Sequence, residues 1–213
     1  MSLTRFHQLV CSCGETLNVE LISSINAAQD PNLKESILSG ELNLIKCGNC
    51  FRLFYADSFV LYIDLPQEII AFIYPAADES KKDELNKKTE IEFMSMCSSL
   101  TDEEKINIEP MVFFGMDKFS DFLKAENDME DEIEVMRFIC SQNKISTKTI
   151  CKSRARKSKL PFILPKLKSK KNEKADQREE IIAGLNEVLK ICPELTAYSS
   201  ALQRITGDSS INL

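Results

Sequence analysis

Between Glu15 and Leu21 apolar and polar positions alternate, with Leu17, Val19 and Leu21 on one face and Asn18 and Glu20 on the other. That period of two predicts a half-buried strand. A short helix should follow. Asp30 suits an N-cap, Pro31 the first helical position and Gly40 the stop, and Leu33, Ile37 and Leu38 supply one apolar face. Glu41 to Lys46 reads as a second strand that delivers Cys47 at its end, and Phe51, Leu53 and Tyr55 alternate again. Phe59 to Ile63 is continuously apolar, the pattern of a strand buried on both faces. Pro66 marks a turn within Asp64 to Glu68, and Ile69 to Tyr74 makes another strand, stopped by Pro75. These runs predict a small antiparallel β meander crossed by one helix.

Residues 77–100 are polar and helix-permissive, with Leu85, Ile91, Met94 and Cys97 as the candidate inward positions. Met111 to Phe114 is a short strand ending at Gly115. Two helices should follow, one presenting Phe119, Phe122 and Leu123 and the next Ile133, Met136 and Cys140. Residues 144–173 read as a basic linker that holds Pro161 and Pro165, with an apolar island from Leu160 to Leu167. Ile181, Leu185, Val188, Leu189 and Cys192 then form an amphipathic helix ended by Pro193, and Leu195 to Ile205 one more short helix. The expected fold class is α+β. A domain over 1–143 comprises a cysteine module (1–75) and an α/β remainder (76–143), followed by the linker (144–173) and a C-terminal helical segment (174–213).

Hydrophobic residues make up 43% of the 213, which is enough to build a core. The apolar runs, Phe59 to Ile63 among them, are far too short to cross a bilayer. The first residues contain no apolar signal-peptide core. A cytoplasmic protein with reduced thiols is therefore expected, and paired cysteines there point to metal or catalysis rather than disulfides.

Four of the eight cysteines come in two close pairs, Cys11-Ser12-Cys13 and Cys47-Gly48-Asn49-Cys50. Zinc takes four thiolate or imidazole ligands in a tetrahedron, and two tight turns brought together by folding supply that set at little additional cost in chain entropy. The 33 residues between the pairs hold a strand, a helix and a strand, so both pairs can reach one end of a sheet. A structural zinc on Cys11, Cys13, Cys47 and Cys50 is the expected cofactor. The first pair is one residue shorter than the usual C-x-x-C knuckle, which makes His7, the sole histidine, a possible substitute ligand. Cys97, Cys140 and Cys192 fall on apolar helical stripes and read as small core residues.

The net charge of −6 conceals an asymmetry. Residues 144–178 carry 13 Lys or Arg against two acids, a balance of +11, which leaves −17 for the rest. The basic stretch can lie on its own acidic body. It can also contact a polyanion through Arg154, Arg156, Lys157 and Lys159, in which case nucleic-acid binding would be salt-sensitive and sequence-tolerant.

From Ser24 to Cys50 the chain reads SINAAQDPNLKESILSGELNLIKCGNC, followed by FYADSFVLYID and IIAFIYP. These runs resemble the CpXC domain family of bacteria and archaea, which is named for two C-P-x-C motifs. The resemblance covers about residues 7–143 and leaves the basic tail outside. The family's four cysteines map onto Cys11, Cys13, Cys47 and Cys50, although neither pair here contains the proline. The resemblance implies a zinc-ribbon-like module with an attached α+β body and implies no activity.

Nucleophile, metalloprotease, P-loop and dinucleotide motifs are missing from the sequence, and one histidine offers little for general-base chemistry. Asp128, Glu130, Asp131, Glu132 and Glu134 read as a solvated helix face. Cys47 and Cys50 have the spacing of a redox pair, which gives a thiol-redox alternative. The reading favoured by the sequence is a non-catalytic zinc-binding interaction module with a protein partner. Contact with nucleic acid through residues 144–174 is the alternative.

Overall fold

Residues 16–26 do form a strand, and it is paired on both sides. In the computed structural model, which describes residues 1–98, 108–167, 177–208 and 211, β1 (Leu3–Val10) and β2 (Thr16–Asn26) make an antiparallel hairpin whose turn carries Cys11 and Cys13. Nothing in the hydrophobic pattern announces β1. It is an edge strand with almost every side chain exposed, so it lacks the alternation of a half-buried strand.

Helix α1 (Pro31–Leu38) starts on the anticipated proline and stops at Gly40, whose φ of +75° suits the left-handed exit. Asp30 does not cap it with its side chain. Its carboxylate instead accepts hydrogen bonds from the Ser2 amide (3.1 Å) and hydroxyl (2.5 Å), tying the start of β1 to the start of α1. Those two bonds, the hydroxyl's first, hold the Asp30 carboxyl below its ordinary range. A depressed carboxyl stabilises the fold above its unfolded pKa of about 3.9, and that contribution fades as pH falls through the folded value. In an NMR titration Asp30 should therefore ionise below the usual range in the parent chain and move back towards it in a Ser2→Ala variant. Equal midpoints would refute the tie.

Strands β3 (Leu44–Lys46) and β4 (Leu53–Tyr55) form a separate two-stranded ribbon. β5 (Val60–Asp64), β6 (Ile69–Tyr74) and β7 (Met111–Phe114) complete a five-stranded sheet in the order β1-β2-β5-β6-β7. The α+β class holds, but the sheet is mixed rather than a pure antiparallel meander. β2 pairs with β5 and β6 with β7 in parallel, because α1 with the β3–β4 ribbon, and then α2 (Lys82–Ser98), intervene as crossover connections.

All six residues of β6 are buried, and the two faces of the sheet explain why. Ile69, Ala71 and Ile73 pack with Tyr62, Ile37, Phe119 and Leu123. Ile70, Phe72 and Tyr74 pack with Phe59, Phe114 and residues of α2. The inward positions of α2 are Leu85, Thr89 and Phe93, with the Thr89 hydroxyl 2.9 Å from that of Tyr74. Ile91 and Met94 are exposed, contrary to the stripe expected for this helix. Leu85, Thr89 and Phe93 are spaced i, i+4, i+8, a face that includes a polar threonine and so escapes a hydrophobic count.

The chain divides into two compact units, Met1–Lys124 and Ala125–Leu213. The division lies inside α3 (Met116–Asn143), one continuous helix of 28 residues where the stripes suggest two. The stretch from Lys124 to Asp128 is polar but contains no glycine or proline to stop a helix.

In the second unit the segment expected to be a linker is folded. β8 (Ser146–Thr149) pairs with β9 (Ile163–Lys166), with α4 (Lys152–Ser158) between them. The remainder of that linker, residues 168–173, lies outside the described residues. α5 (Gln177–Ile191) and α6 (Thr196–Gly207) close the core, in which Ile133, Met136, Ile163, Leu164, Leu185 and Tyr198 are buried together. The apolar island is docked, and burying Leu160, Ile163 and Leu164 is what orders the polar residues around it.

Candidate metal centre

Each cysteine pair sits on a turn whose backbone is closed by its own hydrogen bonds. In the β1–β2 turn the Cys11 amide donates to the Glu15 carbonyl (2.8 Å) and the Gly14 amide to the Cys11 carbonyl (2.8 Å). Gly14 has φ +89°, a conformation other residues adopt only under strain. In the β3–β4 turn the Cys47 amide donates to the Arg52 carbonyl (2.9 Å) and the Phe51 amide to the Cys47 carbonyl (3.0 Å).

The second turn is held against the first hairpin by Asn43. Its side chain accepts from the Ile22 amide (2.9 Å) and donates to the Ile22 carbonyl (3.0 Å), acting as one residue of an additional strand. It does so just before the β2–β5 register begins at Ser24 and Leu61. Asn43 also has φ +56°, which asparagine tolerates better than alanine. Asn43→Ala should cost about 2–3 kcal/mol in denaturant unfolding, by orphaning two backbone groups and straining the turn. Asn43→Gly should recover part of that loss. A near-neutral Asn43→Ala would contradict this role.

With the turns so placed, the sulfurs of Cys11, Cys13, Cys47 and Cys50 all lie within 4.8 Å of one another. Between the pairs, the Cys11 sulfur lies 3.6 Å from that of Cys50 and the Cys13 sulfur 3.7 Å from that of Cys47. Cys11 and Cys47 are buried, while Cys13 and Cys50 face solvent. The backbone N–H of Cys13 pulls the Cys11 thiol down to about 6, against the opposing effect of desolvation. For Cys50 the backbone N–H of Arg52 favours the thiolate, but desolvation and the other three sulfurs outweigh it and push the thiol up to about 11. Four crowded sulfurs cannot all carry charge alone, and a metal cation would stabilise all four thiolates together.

Polar neighbours complete the centre. Asn49 points its amide at the Cys13 sulfur (3.9 Å), Arg52 donates to the Ser12 hydroxyl (2.5 Å), and the Lys46 ammonium lies 5.5 Å from the Phe51 ring centroid. Sequence spacing pointed to the four cysteines but not to Asn43, Asn49 or Arg52. The one available signal was an asparagine inside the second knuckle. His7 sits in mid-strand on β1 opposite Val19, and the four-sulfur group does not include it.

The basic candidates divide. Arg156 is paired with Glu126 of α3 at 2.8 Å, and its neighbour Lys152 with Glu130 at 3.2 Å. Arg154, Lys157 and Lys159 are exposed on α4 and at its C-terminal end. The acidic stretch of α3 has structural work to do. Beyond those two pairs, Glu132 accepts from the Thr196 hydroxyl (2.7 Å) and the Ala197 amide (2.9 Å) and so caps α6. Among the described residues no helix is long and apolar enough to cross a membrane.

The fold and the centre define an α+β protein with a cluster of four cysteines that could hold a metal ion. The family model described as CpXC protein matches residues 9–137, well over half of the chain, and the protein belongs to that family. Comparison with curated proteins and with solved structures returns no match.

Proposed function

We propose that this protein is a non-catalytic interaction module in which a structural zinc ion, held by Cys11, Cys13, Cys47 and Cys50, fastens the β3–β4 ribbon to the β1–β2 hairpin. The observation that carries the reading is the mutual approach of the four sulfurs within 4.8 Å. A tetrahedral ion with metal–sulfur bonds of about 2.3 Å sets its ligands about 3.8 Å apart. The cross-pair distances of 3.6 and 3.7 Å match that edge. Four protein sulfurs leave no open coordination position, which supports a structural rather than a catalytic ion. The contacts between pairs also favour metal over a redox couple formed by Cys47 and Cys50 alone.

What the centre supports is a rigid surface for a protein partner. Phe51, Leu53 and Tyr55 are exposed on the ribbon that the metal would hold. Contact with nucleic acid is a second reading, favoured by the exposure of Arg154, Lys157 and Lys159. Neutralisation of Lys152 and Arg156 within the fold counts against it. Metal analysis by mass spectrometry on untagged protein tests the main reading. One zinc per chain is expected, falling to none in Cys47→Ser/Cys50→Ser. A well-folded parent that carries no zinc under zinc-replete growth would overturn it.

A further inference from the structure

A cavity of about 530 Å³ opens in the first unit, lined by the C-terminal end of α1, the start of α3 and the chain that joins β4 to β5. Its volume falls within the range of small-molecule sites. The apolar part of the lining is formed by Ile37, Leu42, Ile73 and Met116, of which the first three are buried core residues. The charged part is lopsided. Asp57, Asp117 and Asp121 line the cavity, and Lys124, 3.5 Å from Asp121, is the one cation lining it among the described residues. Asp57 already uses one oxygen to accept the Ala76 amide (2.9 Å), which leaves the other for a ligand. The two helix ends at the cavity have opposite polarity and offset each other, so the carboxylates decide the field.

Beside them stands Ser58, whose hydroxyl oxygen is buried with no hydrogen-bond partner among the described residues. A buried hydroxyl left alone is costly, and a change of one χ1 rotamer is open to so small a side chain. The site therefore offers hydrogen-bond acceptors and negative charge around an apolar wall. It is unsuited to a bare divalent ion, because these carboxylates do not converge as the four cysteines do.

We propose that this cavity binds a small organic cation, a primary ammonium on an aliphatic stem, with the stem against Ile37, Leu42 and Ile73 and the ammonium among Asp57, Asp117 and Ser58. The ammonium brings three donors to a site rich in acceptors, and the stem covers apolar surface that a hydrated metal ion would leave wet. The source of the amine is either a free diamine or a lysine side chain of a partner. Leu42, Asn43, Tyr55 and Ala56 of the lining lie on the segment that the metal would fasten, so metal analysis of the titrated sample separates failure of the cavity from failure of the centre.

The test is an amide NMR titration of the full metal-loaded chain with 1,5-diaminopentane and, in parallel, with Nα-acetyl-lysine amide. Saturable shifts are expected at Gly40, Ser58, Gly115 and Asp117, with a dissociation constant on the order of 1 mM for so small a ligand. Tighter binding of one probe identifies the source. Asp117→Asn should weaken binding about threefold and Lys124→Gln should strengthen it about threefold, modest changes because both groups lie at an exposed rim. Opposite movement in two surface variants cannot arise from misfolding. Equal binding of 1-pentanol, or no saturable shift at these amides up to 50 mM amine (about 50-fold above the expected constant), would overturn the proposal.

Discussion

A Cys47→Ser/Cys50→Ser chain is expected to lose the order of residues 42–56 while its five-stranded sheet persists. The ribbon has little else to hold it. β3 and β4 are three residues each, and an isolated two-stranded hairpin is marginal in water. Leu44, Phe51, Leu53 and Tyr55 are exposed, so apolar burial comes mainly from Leu42 and Ile45. What remains is Asn43 on Ile22, the exposed bonds from Arg52 to Ser12 and from Asn49 to Cys13, and the sulfur cluster. In zinc-finger peptides a structural zinc is worth about 10–16 kcal/mol of apparent folding energy, far more than the other contacts here can replace. Hydrogen exchange reads the outcome directly. Amides from Leu44 to Tyr55 should lose at least about 100-fold in protection, roughly 3 kcal/mol, while those of β5 and β6 stay protected. A strong chelator added to the parent should reproduce the pattern. Parent-like protection of the ribbon in the double variant would show that packing alone holds it.

Gly184→Ala is expected to destabilise the second unit severely, although the same change in an exposed helix would stabilise it. Glycine costs a helix interior about 1 kcal/mol relative to alanine, so Gly184 looks like a flaw in an otherwise amphipathic α5. Packing explains it. A Cβ built there would lie 2.5 Å from the Pro165 carbonyl oxygen, 2.7 Å from its carbon and 2.9 Å from the Lys166 nitrogen. All three are backbone atoms of β9 and cannot swing aside. α5 must therefore lift off the strand, which loosens Ile181, Leu185 and Val188 in the core. A net loss of about 2–3 kcal/mol is expected, roughly 10–20 °C in melting temperature for a unit of this size. Calorimetry decides it, and a stabilised Gly184→Ala would mean that the helix does not sit so closely on the strand.

The sequence was most legible where one local rule acts alone. Pro31 and Gly40 bounded α1, continuous apolar runs marked β5 and β6, and the spacing of Phe119, Phe122 and Leu123 marked the buried face of the first half of α3. The clustering of the four cysteines was readable because close pairing within two turns is a local pattern, one that a metal site would require whatever the surrounding fold. Reading failed where the decisive partner is remote. β1 and β8 carry no burial pattern of their own and are strands only because β2 and β9 pair with them. The basic stretch looked like a linker because its charges dominate the composition, yet Leu160, Ile163 and Leu164 anchor it and Glu126 and Glu130 neutralise part of it.

By itself, then, the sequence determined the class of fold, the ends of α1 and which four cysteines gather at one place, because these follow from local sterics, periodicity and side-chain chemistry. Only the tertiary structure decided the parallel pairings, the backing of the knuckles by Asn43, the need for glycine at 184 and the acidic cavity beside α1. Each of these depends on the approach of backbones far apart in the chain, a distance that no local pattern encodes.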